Sequence, residues 1–158
     1  MNSGSWVARH SISISGVIDE MARQRALEDM GILDTAPEER FDRVTRLARQ
    51  LFGVETAAVN FIDGDRQWAK SVSGAGPIEM TREASMCTVT IQGNDPFVVA
   101  DMTADPRYSG KVVPGLLAFY AGFPLYAPGG ERIGAFCVYD STPRHFSVRE
   151  TEMLRDLA

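Results

Sequence analysis

Cysteine and histidine, the side chains that most metal and thiol chemistry draws on, are scarce in this sequence. Its 158 residues hold two of each: Cys87 and Cys137, His10 and His145. Two cysteines far apart make no disulfide framework, and the histidines sit near opposite ends, so nothing has the spacing of a zinc site with its about four ligands. Free thiols of this kind fit a reducing cytoplasm. Positive charge is short too, with 16 Lys and Arg against 21 Asp and Glu for a net charge of -5. No stretch gathers basic residues among aromatics, which excludes nucleic acid as a direct ligand. No run approaches the roughly 18 apolar residues of a membrane span. "ISISGVI" near the N-terminus is too short and Ser-rich for a secretory core, and Asn2 rules out N-myristoylation. Phosphate-binding, nucleophile-elbow and complete dinucleotide glycine motifs are all missing, and the carboxylates are scattered.

What is present has the makings of one domain with a real core, since 44% of the residues are hydrophobic. Residues 1–17 read as a flexible arm in which "SISIS" alternates like a short strand, and residues 18–158 as a single domain. Ile18, Ala22, Ala26 and Met30 recur every fourth residue, with Met21 and Leu27 beside them, and predict a first helix that Gly31 stops. In "DTAPEERFDRVTRLARQLFG" Thr35 and Glu38 have the spacing of a capping box, with Pro37 in the first turn. Phe41, Val44, Leu47, Ala48 and Leu51 then form one apolar stripe before Gly53. The arginines of this helix are interleaved with acids, as on a solvated face.

From residue 55 the period becomes that of strands. "ETAAVNFID" and "RQWAKSVSG" read as a hairpin turning at Asp63, Gly64 and Asp65. "PFVVAD" is a third strand, and "AFYAGFPLYAP" and "ERIGAFCVYD" are a fourth and fifth joined through Pro128, Gly129 and Gly130. The segment between the second and third strands is long enough for a short helix. Ser147 and Glu150 repeat the capping-box spacing, and Met153, Leu154 and Leu157 begin a stripe that stops in mid-pattern at Ala158. That helix reads as cut short, either in a piece of a longer protein or where it continues into a dimer or linker element. The order of elements predicts an α+β fold on an antiparallel sheet whose two faces are covered differently.

Six blocks occur together in a recognisable order: "GILDTAPEERFDRVTRLARQLFGV", "FIDGDRQWAKS", "EASMCTVTI", "VVADMTADPRY", "FYAGFPLYAPGGERIGAFCVYD" and "TPRHFSVRETEMLRDLA". From about Arg25 to Ala158 the chain resembles a bacterial GAF domain of the type that stands at the front of multidomain signalling proteins. The resemblance implies a five- or six-stranded antiparallel sheet with the first, second and last helices on one face. Loops and short helices around residues 75–117 would cover the other face and enclose a small-molecule pocket. It also implies a cytoplasmic, non-catalytic sensor that passes ligand occupancy to an output module outside this chain, such as a kinase, phosphatase, cyclase, diguanylate enzyme or transcription factor. Any such signal needs two arrangements with different ligand affinity. One departure stands out: the family pattern places a His two residues after the cysteine, whereas here Val89 follows Cys87 and Thr88. A His-dependent haem, metal or proton role at that site loses its residue, and no cofactor is identified.

The residues expected to line the implied pocket are Trp68, Met86, Cys87, Asp101, Arg107, Tyr108, Phe119 and Tyr120. A reactive thiol needs a cation, a helix N-terminus or a base, and near Cys87 the sequence offers only Arg82. Pocket lining and plain packing are both open to Cys87, and core packing is expected of Cys137 in "GAFCVY". Asp101 or Arg107 would orient a polar ligand; otherwise Asp101 caps a turn and Asp105 and Arg107 form a surface pair. Strand alternation sets Phe119 and Phe123 on one face and Tyr120 and Tyr126 on the other, without saying which faces the pocket. Two alternatives remain. One is a ligand-free interaction module that pairs with a second copy through its terminal helices, which predicts a filled core. The other is a thiol oxidoreductase, because the family resembled includes the free methionine sulfoxide reductase, and it requires Cys87 and Cys137 to meet in space.

Overall fold

The computed structural model describes residues 20–158, so the arm expected over residues 1–17 lies outside the described residues. Helix α1 runs through residues 20–29. It is followed by α2 (Glu39–Phe52), β1 (Thr56–Asp63), β2 (Arg66–Ser73), β3 (Glu79–Thr81), α3 (Cys87–Thr90), β4 (Phe97–Val99), β5 (Phe119–Tyr126), β6 (Arg132–Asp140) and α4 (Val148–Leu157). The strands form one six-stranded sheet in the order β3-β2-β1-β6-β5-β4, and every ladder in it is antiparallel. Both expected hairpins form. Asp63 pairs directly with Arg66, and Gly64 takes the positive φ of 54° that this tight turn requires. The short edge strand β3, inside the segment left without a strand by the sequence, is the addition.

Period-two alternation splits the core into two layers. Val59 and Phe61 of β1, Phe119 of β5 and Phe136 and Val138 of β6 pack with Leu27, Ala48, Phe52 and Leu154 of the helices. The residues between them, including Ala58, Tyr120, Ala135 and Cys137, face away and pack with Met86, Cys87 and Ile91. β1 and β6 touch so closely that a Cβ on Gly134 would stand 2.0 Å from the Asn60 carbonyl oxygen. A bulge where Val59 pairs with Ser71 but Asn60 with Ala69 leaves Lys70 as the extra residue of β2.

Three local expectations are corrected. The capping box at α2 does not form: Glu38 caps with no side-chain bond, because its carboxylate pairs with Lys70 Nζ at 2.7 Å. Thr35 Oγ1 accepts from the same ammonium at 2.6 Å. On α1 the buried residues are Arg23 and Leu27, while Met21 and Met30 are exposed, since Arg23 reaches the Ile62 carbonyl of β1 at 2.7 Å. On α2 the stripe turns so that Thr45, Ala48 and Phe52 are buried and Leu47 and Leu51 face out. The second capping box, at Ser147 and Glu150, forms as expected.

Candidate functional site

On the sheet face away from α2 and α4 lies a cavity of about 440 Å³. The sheet supplies Asn60 from β1, Gln67 from β2, Tyr120 from β5, and Cys137 and Tyr139 from β6. The far wall is built from Met86 and Cys87 at α3, from the 75–84 segment, and from Val113, Leu116 and Leu117. No Asp, Glu, Lys, Arg or His is among the described residues that line it. Cavities of this volume are in the range of small-molecule sites, about 300–1,000 Å³.

Both thiols open onto this space, and they meet. Cys87 Sγ stands 3.9 Å from Cys137 Sγ. Asn60 Nδ2 donates to both sulfurs, each at 3.4 Å, and the Tyr120 hydroxyl donates to Cys87 Sγ at 3.3 Å. The Tyr120 hydroxyl is held in turn by Thr90 Oγ1 at 2.7 Å. The Cys137 hydrogen bond, with help from Tyr120, Asn60 and Ser85, pulls the Cys87 thiol below its ordinary range against the opposing effect of burial. Cys137 moves the other way, raised by its bond to Cys87 and by burial. Of the two thiols, Cys87 is therefore the more acidic. Burial raises the Tyr120 hydroxyl as well. Asn60 Oδ1 is buried and has no partner among the described residues, so one polar acceptor in the cavity wall is left for something else to satisfy.

A second cleft, of about 450 Å³, is polar and includes Glu20, Arg23, Arg82 and Arg132 in its lining. Its three arginines are already engaged. Arg23 and Arg82 donate to Glu20 at 2.9 and 2.6 Å, holding that carboxyl at about 2, and Arg132 is spent on the Ile91 carbonyl and Asn94.

A model of the GAF domain matches residues 36–158. The chain belongs to the GAF domain family. Its fold accords with this: the GAF domain of an Acinetobacter phosphoenolpyruvate-protein phosphotransferase superposes with a TM-score of 0.62 at 13% identity, over 89% of this chain and 87% of that one. A type II free methionine-R-sulfoxide reductase from Thermoplasma acidophilum superposes with a TM-score of 0.63 at 15% identity, over 75% of this chain and 84% of that one. At such identities the likeness is one of fold. A cyclic di-GMP phosphodiesterase of Pseudomonas aeruginosa is 33% identical over 144 residues, which are 89% of this chain but 24% of that protein. The chain thus spans about a quarter of that relative's length, and GAF domains of this kind occur in signalling proteins.

Within this GAF domain the expected site residues divide. Met86, Cys87 and Tyr120 line the cavity, and Tyr108 lies in the same apolar layer, its ring edge-on to Phe97 at 5.4 Å. Trp68 and Phe119 do not line it: alternation turns both into the helix-side layer. Asp101 accepts from the backbone N–H of Thr103 at 3.0 Å, a turn cap. Arg107 is exposed and paired with Asp105 at 2.8 Å. Neither of these two polar residues is in the cavity wall. Cys137, expected in the core, is buried and lines the cavity as well. Asn60, Gln67 and Tyr139 were not foreseen; Asn60 had a signal, as the one polar residue in "AAVNFI".

Proposed function

We propose that this is a non-catalytic sensory GAF domain of a signal-transduction protein, binding a small molecule in the cavity between the sheet and the α3 segment. The observation that carries the reading is the cavity itself: a preformed space lined by no Asp, Glu, Lys, Arg or His, with a buried acceptor in its wall, Asn60 Oδ1, that has no partner among the described residues. The cavity on that face and α2 and α4 on the other share strands β1, β2, β5 and β6, so a ligand that shifts the sheet is felt by the helices. The likeness to part of a cyclic di-GMP phosphodiesterase supports a regulatory role beside an enzymatic output module. The test is native mass spectrometry of the full chain against its denatured mass. The expected outcome is a bound mass lost on denaturation and absent from Leu117→Trp, whose indole fills the cavity. A bound mass that survives in the filled variant would overturn the assignment of ligand to cavity.

A second reading, a thiol oxidoreductase of the free methionine sulfoxide reductase type, is favoured by the 3.9 Å approach of Cys87 and Cys137. The uncharged wall weighs against that substrate, whose ammonium and carboxylate would be buried unpaired. Absence of turnover with free methionine-R-sulfoxide and dithiothreitol would remove it. We also propose self-association through the terminal helices, supported by the exposed Met21 of α1 and Val148 of α4.

A further inference from the structure

The geometry points to a dithiol site for neutral organic hydroperoxides, in which Cys87 is the attacking sulfur and Cys137 the resolving one. The inference rests on the sensory reading of the cavity and names the class of molecule it receives.

Four observations converge. The sulfurs are 3.9 Å apart, and a disulfide needs about 2.05 Å, so about 1.9 Å of approach separates the two states. The thiols are not equivalent: Cys87 Sγ accepts from the Tyr120 hydroxyl as well as from Asn60, donors that favour the developing negative charge of an attacking sulfur, and Cys87 is the more acidic of the two. The wall has no Asp, Glu, Lys, Arg or His among its described residues, so amino-acid sulfoxides and charged disulfides find no counterions there and each would bury an unpaired ion. Hydrogen peroxide has no use for 440 Å³ of mostly apolar space, whereas an alkyl or aryl hydroperoxide fills it and gains from burial. Lastly, Asn60 Oδ1 is an acceptor without a partner among the described residues, on the same amide whose Nδ2 lies 3.4 Å from both sulfurs. A hydroperoxide that donates its O–H to Oδ1 has its O–O bond beside Cys87.

The chemistry balances with the hydroperoxide as the only oxidant. The Cys87 thiolate attacks the terminal oxygen, the S–O bond forms and the O–O bond breaks, and the departing alkoxide takes the proton that Cys87 gave up. The products are the Cys87 sulfenic acid and an alcohol. Cys137 Sγ then attacks the sulfenic sulfur, and its proton leaves with the hydroxide as water. Overall two thiols and one hydroperoxide give a disulfide, an alcohol and water, with two electrons passing from sulfur to oxygen.

The experiment exposes the reduced full chain to one equivalent of cumene hydroperoxide or hydrogen peroxide and follows the denatured mass. The expected result is a two-hydrogen deficit, formed about tenfold or more faster with cumene hydroperoxide because its ring is buried in the cavity. Cys137→Ser should stop at a sulfenic acid on Cys87, trapped by dimedone, and Cys87→Ser should give neither product. Asn60→Leu should slow cumene hydroperoxide while leaving thermal stability near that of the parent. Equal slow rates with both peroxides, or sulfenic acid on Cys137, would overturn the inference. Cumyl alcohol, which cannot oxidise, separates the two levels: if it raises the melting temperature while the peroxide leaves both thiols intact, the redox step fails and the sensing cavity stands. If neither compound acts, both readings fail for this class of ligand.

Discussion

Asn60 shows how much one side chain in a central strand can organise. Its backbone packs against Gly134, its amide nitrogen bridges two thiols, and its oxygen is left over. At the opposite extreme is Glu20, a surface carboxylate whose role is electrostatic. Arg23 first and Arg82 next hold its carboxyl near 2 instead of 4.5. A depressed carboxyl stabilises the fold above its unfolded value and loses that contribution as the pH falls from about 4.5 toward 2. Because Glu20 is largely solvated, screening limits the effect to under about 1 kcal/mol. Glu20→Gln should therefore melt slightly below the parent at pH 6, and the gap should close near the acid end when thermal melts are compared across pH. Residue identity was partly legible from the sequence. Alternation separated Tyr120 from Phe119, but the face that holds the cavity depends on which side the helices cover, a tertiary fact. Asp101 and Arg107 showed their polarity in the sequence, while their partners, Thr103 and Asp105, are only two residues away.

At the scale of elements, two equal sequence signals met different fates. Ser147 and Glu150 bond reciprocally, and α4 has ten residues, few for a helix to hold itself without a cap. Ser147→Ala should cost about 1 kcal/mol, read as a fall of about 2–4 °C in melting temperature. Thr35 and Glu38 have the same spacing, yet the bulge in β2 lifts Lys70 into the turn before α2 and both side chains turn to it. A buried ammonium asks more of its neighbours than a helix end does. That competition comes from a residue more than thirty positions downstream, and local patterning could not have revealed it. The strands and both hairpins were readable because their alternation is local. β3 was not, because its three residues are fixed by pairing with Arg66, Gln67 and Trp68 rather than by a pattern of their own.

Over the whole molecule the sheet is a partition with α1, α2 and α4 on one side and the cavity beneath α3 on the other. The α+β layout and the family were legible because they rest on the order of whole blocks, whereas the meeting of Cys87 and Cys137 required the folded chain. If the terminal helices join two copies, sedimentation equilibrium should give a dimer that Val148→Glu and Met21→Glu together convert to a monomer; a monomer in the parent would remove that proposal. A cavity wall without Asp, Glu, Lys, Arg or His among its described residues has a further consequence for the sensing role proposed above. Most small metabolites carry phosphate, carboxylate or ammonium, and under the proposed sensing role a chamber with no counterion for them would act as a filter that ignores metabolic traffic and admits the uncharged minority. Such recognition is also indifferent to ionic strength. The affinity for a neutral occupant, measured by calorimetry from about 0.01 to 1 M salt, should stay nearly flat where a charged site would weaken steeply.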